Sequence, residues 1–185
     1  MSKISVLMSV YKKENPEYLR ASLESILVQT RTADEILLIE DGPLTQELYQ
    51  VVAEYQKKCD YLHVHAMEQN VQLGRALAKG VELCQYDLIA RMDTDDIAMP
   101  DRLEKEEAYM EAHPEVDVVG GAIREFNDEG TIDRVKNMPK TQEEILEYVK
   151  VRNPLNHMTV MYRKDSILKA GNYKHFPFLE DYSLW

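Results

Sequence analysis

The sequence predicts an α/β fold, a mostly parallel sheet with helices covering both faces. Three observations predict it. Short runs that are apolar almost throughout recur along the first half of the chain, as strands buried on both faces do. Each run is followed by a segment whose apolar residues recur at helical spacing. Polar and acidic clusters close the runs, and in parallel sheets ligands bind beyond the carboxyl ends of the strands.

The elements follow in order. Ile4–Val10 reads as the first strand. Leu19, Leu23, Ile26 and Leu27 then lie on one helix face, with Pro16 suited to the first turn. Residues 36–39 form a second strand, closed by Glu40-Asp41-Gly42-Pro43, and Leu44, Leu48, Val51, Val52 and Tyr55 mark the next helix. Residues 61–67 are a third strand, Leu73, Leu77, Val81 and Cys84 a third helix, and residues 86–92 a fourth strand. Beyond Pro100 the pattern changes. A charged helix covers 102–113, a strand 116–122, a polar loop or hairpin 124–140, and a helix 142–150. A strand follows over 158–163, then a short helix over 164–170 closed by Gly171. The chain ends at Leu184-Trp185, within what reads as the start of another helix, so a longer protein is expected.

The chain has 185 residues, 44% of them apolar, which is enough for one domain with a real core. A formal net charge of −11 argues against nonspecific nucleic-acid binding. Cys59 and Cys84 show no CxxC spacing and read as reduced thiols in a cytoplasmic protein. The apolar start is too short for a signal peptide, and no stretch approaches the ~18–20 apolar residues that span a bilayer.

The fourth strand delivers Asp93-Thr94-Asp95-Asp96. Carboxylates this close repel one another, and such a site suits a hard divalent cation, Mg²⁺ or Mn²⁺, with a phosphorylated substrate. Asp93 and Asp95 alternate on extended backbone and share a side, while Asp96 is expected to point away and cap the next turn. An EF-hand does not fit, because the loop lacks the required Gly and terminal Glu. Two more polar clusters, Ser9-Val10-Tyr11 and Glu40-Asp41-Gly42, close strands and are expected in the same crevice. Asp41 can accept from a nucleobase imide or serve an Asp-Gly turn, and Tyr11 can stack on a base or cover the sheet edge. In Asn70-Val71-Gln72-Leu73-Gly74-Arg75, a close approach at Gly74 and the charge of Arg75 suit a diphosphate at a helix start, or else an Asn cap with a solvated Arg. Glu180-Asp181 can supply a general base if it folds back to the metal, or a charge pair at a helix start. His157 suits a structural hydrogen bond as readily as an acceptor-side role.

Taken together, in this order and spacing, several segments resemble the family 2 glycosyltransferases, bacterial inverting enzymes of the GT-A fold. They are residues 4–11, Ile39-Glu40-Asp41-Gly42, residues 70–77, Ala90-Arg91-Met92-Asp93-Thr94-Asp95-Asp96, residues 99–103, residues 156–164 and Glu180-Asp181-Tyr182-Ser183-Leu184-Trp185. The resemblance covers essentially the whole chain and is specific for the family, much less so for the sugar. It implies one GT-A domain over 1–185, Rossmann-like, with a nucleotide-binding half over 1–100 and an acceptor-side half over 101–185.

The resemblance also implies roles. Asp41 corresponds to the carboxylate on the base of a nucleotide-sugar, with Ser9, Tyr11, Arg75, Asp93 and Thr94 in the donor-binding set. Asp93 and Asp95 look like the DxD motif, Asp95 as the direct ligand of Mn²⁺ or Mg²⁺ and Asp93 towards the ribose or a metal-bound water. Asp181 looks like the catalytic base, and Glu180 and His157 fall on the acceptor side. The implied partners are a nucleotide-diphospho-sugar, by default of uridine, and a lipid-linked or other glycan acceptor for capsule, lipopolysaccharide or another surface polysaccharide. The full protein is then expected in the cytoplasm, peripheral at the inner face of the membrane. Pro43 removes a hydroxyl donor usual in the family, and Gln72 replaces a usual small residue. A sugar-phosphate nucleotidyltransferase is the alternative enzyme class, though the 9–16 segment lacks the Gly-rich basic loop it needs. A noncatalytic nucleotide-sugar-binding module is the other.

Overall fold

Alternation along the first strands sorts the core into two layers. The computed structural model describes residues 2–127 and 133–185. β1 (Ile4–Val10), β2 (Glu35–Glu40), β3 (Leu62–Ala66) and β4 (Leu88–Met92) run parallel. Ile4, Val6, Met8, Ile36, Leu38, Leu88, Ala90 and Met92 pack in one layer; Leu7, Leu37, Ile39 and Ile89 pack in the other. α1 (Pro16–Leu27), α2 (Gln46–Lys58) and α4 (Arg102–Ala112) contribute Leu23, Val51 and Leu103 to the first layer. α3 (Leu73–Leu83) contributes Ala76, Leu77 and Val81 to the second. Each fully buried aliphatic side chain stabilises by roughly 1.5–3 kcal/mol, so this double layer fixes where the strands end.

The strand order is β3-β2-β1-β4-β8-β5, with β5 (Val118–Val119) and β8 (Met161–Arg163) completing the sheet. β8 is antiparallel to both β4 and β5. The chain moves outward from β1 to β3, then returns to place β4 on the other side of β1. The order therefore reverses between β1 and β4, where an open α/β sheet leaves a crevice at its carboxyl edge. β6 (Ile123–Phe126) and β7 (Asp133–Lys136) form a separate antiparallel pair. α5 (Gln142–Tyr148) buries no residue and is held by a capping box of Thr141 and Glu144. α6 (Lys164–Lys169) returns to the second layer through Ile167.

Several sequence expectations change. Leu44 precedes α2, whose cap is Thr45. The strand expected over 116–122 shrinks to two residues, stopped by Gly120 and Gly121. The strand expected from 158 begins at Met161, because residues 157–159 turn as a 3-10 helix whose Thr159 hydroxyl bonds Asn156 O at 2.8 Å. The 124–140 segment contains the β6–β7 pair, with its centre outside the described residues. Residues 177–184 form turns instead of a helix. Cys59 and Cys84 are buried and free, and burial pushes the Cys84 thiol up to about 12, leaving little thiolate. Among the described residues no helix is long and apolar enough to cross a membrane.

α3 approaches β1 closely at Gly80, where an added Cβ would lie 2.3 Å from the buried Leu7 Cδ1. Overpacking costs about 1–3 kcal/mol, against about 1 kcal/mol of helix propensity gained from Ala. Gly80→Ala is expected to lower the denaturation midpoint at unchanged m-value, and Gly80→Val to lower it further. A midpoint at or above native for the alanine variant would show that α3 does not press on β1 as described.

Candidate active site

The acidic loop leaves β4 and is held from below by α1. Ser22, Ser25 and Gln29 occupy buried positions on or just beyond that helix. The Ser22 hydroxyl donates to Asp93 O at 2.8 Å, Ser25 Oγ accepts from Ala98 N at 3.0 Å, and Gln29 Nε2 donates to Met99 O at 2.7 Å. Three polar side chains thus satisfy loop backbone that has no strand partner. Glu14 adds a tie from the β1 side: its carboxylate accepts from the Thr94 hydroxyl at 2.6 Å and from Asn15 N at 2.8 Å.

On this support, carboxylate oxygens of Asp93, Asp95 and Asp96 lie within 4.8 Å of one another. Asp96 therefore joins the cluster and does not point away. None of these residues caps α4, whose N-cap is Asp101. Crowding shows in the charges. Burial, then Asp93 and Asp95, pushes the Asp96 carboxyl up to about 6. Asp95 is raised by desolvation in the cleft, then by Asp93 and Glu14. Among the described residues Arg91, 1% exposed, is the cation in contact with the cluster, its Nη1 2.5 Å from Asp93 Oδ1, and Arg102 acts on Asp96 from further away. An all-oxygen donor set of this density fits Mg²⁺ or Mn²⁺.

The next wall comes from the end of β2. Asp41 is 4% exposed, and its carboxylate accepts from Val71 N at 2.6 Å and Asn70 Nδ2 at 2.8 Å. Burial pushes its carboxyl up, opposed by the Val71 and Gln72 amides. Gly42, at φ +84°, lets the two segments meet, since a Cβ there would lie 2.5 Å from Asn70 N. Asn70 therefore clasps Asp41 and does not cap α3. Gln72 stands at the cap position with φ 73° and ψ 155°, backbone that is essentially reserved for glycine, and makes no capping bond.

The third wall is the segment after Tyr173. His175, Phe176, Pro177, Phe178 and Glu180 line the cleft, with Phe178 95% exposed at φ 66°. The close approach expected at Gly74 is real, but Lys174 O and Glu180 Cβ occupy it, 2.7 and 3.0 Å from an added Cβ. Gly74 thus seats this arm against α3 rather than a diphosphate.

The cleft between these walls has a volume of about 550 Å³. It gathers Ser9, Tyr11, Asp41, Asp93, Thr94 and Asp95 from three strand ends, as expected. Three expected residues lie off its wall. Arg75 is exposed on the first turn of α3. Asp181 accepts from Asn153 Nδ2 at 2.5 Å and from Tyr182 N at 2.7 Å, leaving Glu180 to face the cleft. His157 Nε2 lies 3.0 Å from Tyr173 Oη, and burial, then Arg91, lowers its pKa well below the usual value, so it is a neutral hydrogen-bonding group. Lys13, Glu14 and Arg91 are site residues the sequence reading missed, and Asn70, read there as a cap, holds Asp41 instead. The signal for Arg91 was a lone cation inside an apolar strand, two residues before Asp93.

A sequence profile described as "Glycosyl transferase family 2" matches residues 5–173. The chain is similar to the amylovoran biosynthesis glycosyltransferase AmsE of Erwinia amylovora, 45% identical over 98% of this chain and 67% of that protein. It is also similar to the UDP-Gal:alpha-D-GlcNAc-diphosphoundecaprenol beta-1,3-galactosyltransferase of Escherichia coli, 35% identical over 99% of this chain and 66% of that one. The chain thus spans about two thirds of the length of these relatives. Among solved structures, S. aureus TarS 1-349 in complex with UDP-GlcNAc superposes with a TM-score of 0.75 at 19% identity, over 98% of this chain and 52% of that one. Mannosyltransferase PcManGT from Pyrobaculum calidifontis, in complex with GDP-Man and Mn²⁺, superposes at 0.69 and 12% identity, over 94% and 48%.

Two outcomes are expected from this geometry. Gln72→Gly removes roughly 1–3 kcal/mol of backbone strain for an entropic cost of about 0.5–1, so its melting temperature should exceed the native value; a fall would contradict the strained turn. For Asp96 the folded carboxyl titrates above the unfolded one, near 4. Between those values the native state holds the extra proton, so the stability contributed by this group falls as pH rises through about 6. In chelator, Asp96→Asn should therefore melt above native at pH 7.5, with the gap closing towards pH 5; a gap that widens on acidification would contradict it.

Proposed function

Because the chain belongs to glycosyl transferase family 2 and carries its GT-A fold, we propose that it transfers a sugar from a nucleotide-diphospho-sugar to a hydroxyl of a glycan or lipid-linked glycan in cell-surface polysaccharide biosynthesis. The observation that carries this reading is one cleft joining the β1 and β2 ends to the acidic loop and to the arm bearing Glu180. Its volume, about 550 Å³, suits a ligand of that size, with polar groups at fixed points. The names of the relatives, one for amylovoran biosynthesis and one using UDP-Gal with a diphosphoundecaprenol acceptor, support this acceptor class and uridine as the default nucleotide. Residues 1–100 then hold most of the donor and residues 101–185 face the acceptor. With a lipid-linked acceptor, the protein works in the cytoplasm, peripheral at the inner face of the membrane.

In this reading Tyr11 covers the base, and Asp41, with lone pairs beyond those used by Asn70 and Val71, receives its imide. Asp95, with Asp93 and Asp96, would hold Mn²⁺ or Mg²⁺, which would supply charge neutralisation for the departing nucleoside diphosphate. Asp181 takes the acceptor hydroxyl proton; the oxygen forms its bond to the anomeric carbon as the carbon–diphosphate bond breaks, and one displacement inverts the centre. Asp181 suits the base role because Asn153 orients it, as a third group orients a base in hydrogen-bonded catalytic sets. Glu180, on the cleft wall beside it, contacts the acceptor.

A panel of nucleotide-sugars with Mn²⁺ should raise the melting temperature by mass action, by an amount that grows with ligand over dissociation constant. Asp95→Ala should lose the Mn²⁺-dependent part of that shift. Asp181→Asn should keep the donor-induced shift and lose turnover by at least about 10²-fold, read as release of nucleoside diphosphate with an acceptor glycan present. Normal turnover in Asp181→Asn with loss in Glu180→Gln would move the base to Glu180. Pyrophosphate release from a nucleoside triphosphate would replace glycosyl transfer altogether.

A further inference from the structure

Arg91 ranks among the largest fully buried side chains of the described residues. It follows Ile89 on the same strand face, towards the layer that holds Tyr162 and Tyr173. The same alternation carries on to Asp93, so guanidinium and carboxylate stand two residues apart on one side and meet at 2.5 Å. Arg91 Nε is buried without a hydrogen-bond partner. The Asp93 side chain, 28% exposed, stands between this buried cation and the cleft. A buried cation with so little compensation is costly unless its partner stays in place.

We propose that Arg91 is a positioning residue that acts through Asp93: it fixes the Asp93 carboxylate and balances one of the three negative charges, so that the acidic loop is preformed for one divalent cation. Arg91 is the guanidinium in direct contact with a cluster whose net charge stays negative, as a divalent cation requires. The proposal rests on the cation reading above and adds a residue that touches neither donor nor ion. Groups that orient metal ligands typically contribute about 10–100-fold to metal affinity. Simple Coulomb repulsion has the opposite sign, since deleting a cation beside the site would tighten binding of another cation. The direction of the effect therefore separates orientation from mere charge.

The test is Mn²⁺ binding to the donor-free protein, followed by titration calorimetry and by the Mn²⁺ electron paramagnetic resonance signal. Arg91→Met is expected to weaken binding by about tenfold or more, and Arg91→Lys, which keeps the charge but not the planar fork, to weaken it less. In an Asp93→Asn background the Arg91→Met effect should largely vanish, as the cycle requires when one residue acts through the other. Unchanged or tighter binding in Arg91→Met, or full additivity in the cycle, overturns the proposal. A second arm uses metal-free protein in chelator and needs no Arg91 variant to fold. Asp93→Asn, which orphans the guanidinium, should melt below native, whereas Asp95→Asn, which only relieves repulsion, should melt above it. A rise in both overturns the pairing. Native protein that binds no Mn²⁺ sinks the cofactor reading and this role together, while native binding with unchanged affinity in Arg91→Met sinks this role alone.

Discussion

Three carboxylates at the end of one buried strand are the constraint on which the rest of this site depends. Left alone they would push the loop after β4 apart; burial first, and then their mutual charge, raises the Asp95 and Asp96 carboxyls. The structure opposes it from three directions. Ser22, Ser25 and Gln29 hold the loop backbone to α1. Glu14 holds the Thr94 hydroxyl from the β1 side, fixing the loop although its own charge adds to the repulsion on Asp95. Arg91 supplies a fully buried positive charge in contact with Asp93. None of these groups lengthens the sheet or enlarges the core. Their common effect is to make a repulsive arrangement rigid, which electrostatic preorganisation for a charged substrate demands.

The β2 end solves a different problem. Asp41 must stay buried beside a turn, yet a buried carboxylate is tolerated only when hydrogen-bonded. Asn70 and Val71 supply those bonds, and Gly42 supplies the room. The strain appears one residue further on, at Gln72, where the chain must enter α3 at once. A small residue there would relax the turn. Gln72 instead projects a polar side chain into the cleft, so strain is exchanged for a group that can contact ligand.

Much of this was legible in the sequence, and the reason is periodicity. Buried parallel strands and amphipathic helices leave strong patterns, so β1 to β4 and α1 to α4 were legible, and the meeting of Ser9, Tyr11, Asp41, Asp93 and Asp95 followed from their places at the carboxyl ends of parallel strands. What was not legible depends on contacts far apart in sequence. That Gly74 receives Lys174 O and not a diphosphate is set by a segment about a hundred residues later. Ser22 and Ser25 share the spacing of α1's apolar face, and only the loop they hold explains why they are not apolar. Asp96 was expected to turn away because extended alternation was assumed, but the chain turns at Thr94 and Asp95. Strands β5 and β8 came out too long because Gly120-Gly121 and the Thr159–Asn156 bond break runs that hydropathy alone would continue.

The walls of the cleft also differ in how they are made. Two rise from strand ends within a double-layered core, where side chains have single packings. The third is an arm of turns whose outer residues, Phe176, Phe178 and Leu179, stand exposed, while Gly74, Asn153 and Val149 hold its inner side. A rigid half can recognise a ligand shared by many enzymes, because nucleotide and diphosphate do not vary. An arm of exposed turns can change its outer residues without disturbing the core, since each substitution there loses almost no buried area. In the proposed transfer, this division accounts for a family that is plain in the sequence and an acceptor that is not. Donor chemistry is written in residues the fold itself requires, and acceptor chemistry in residues the fold leaves free.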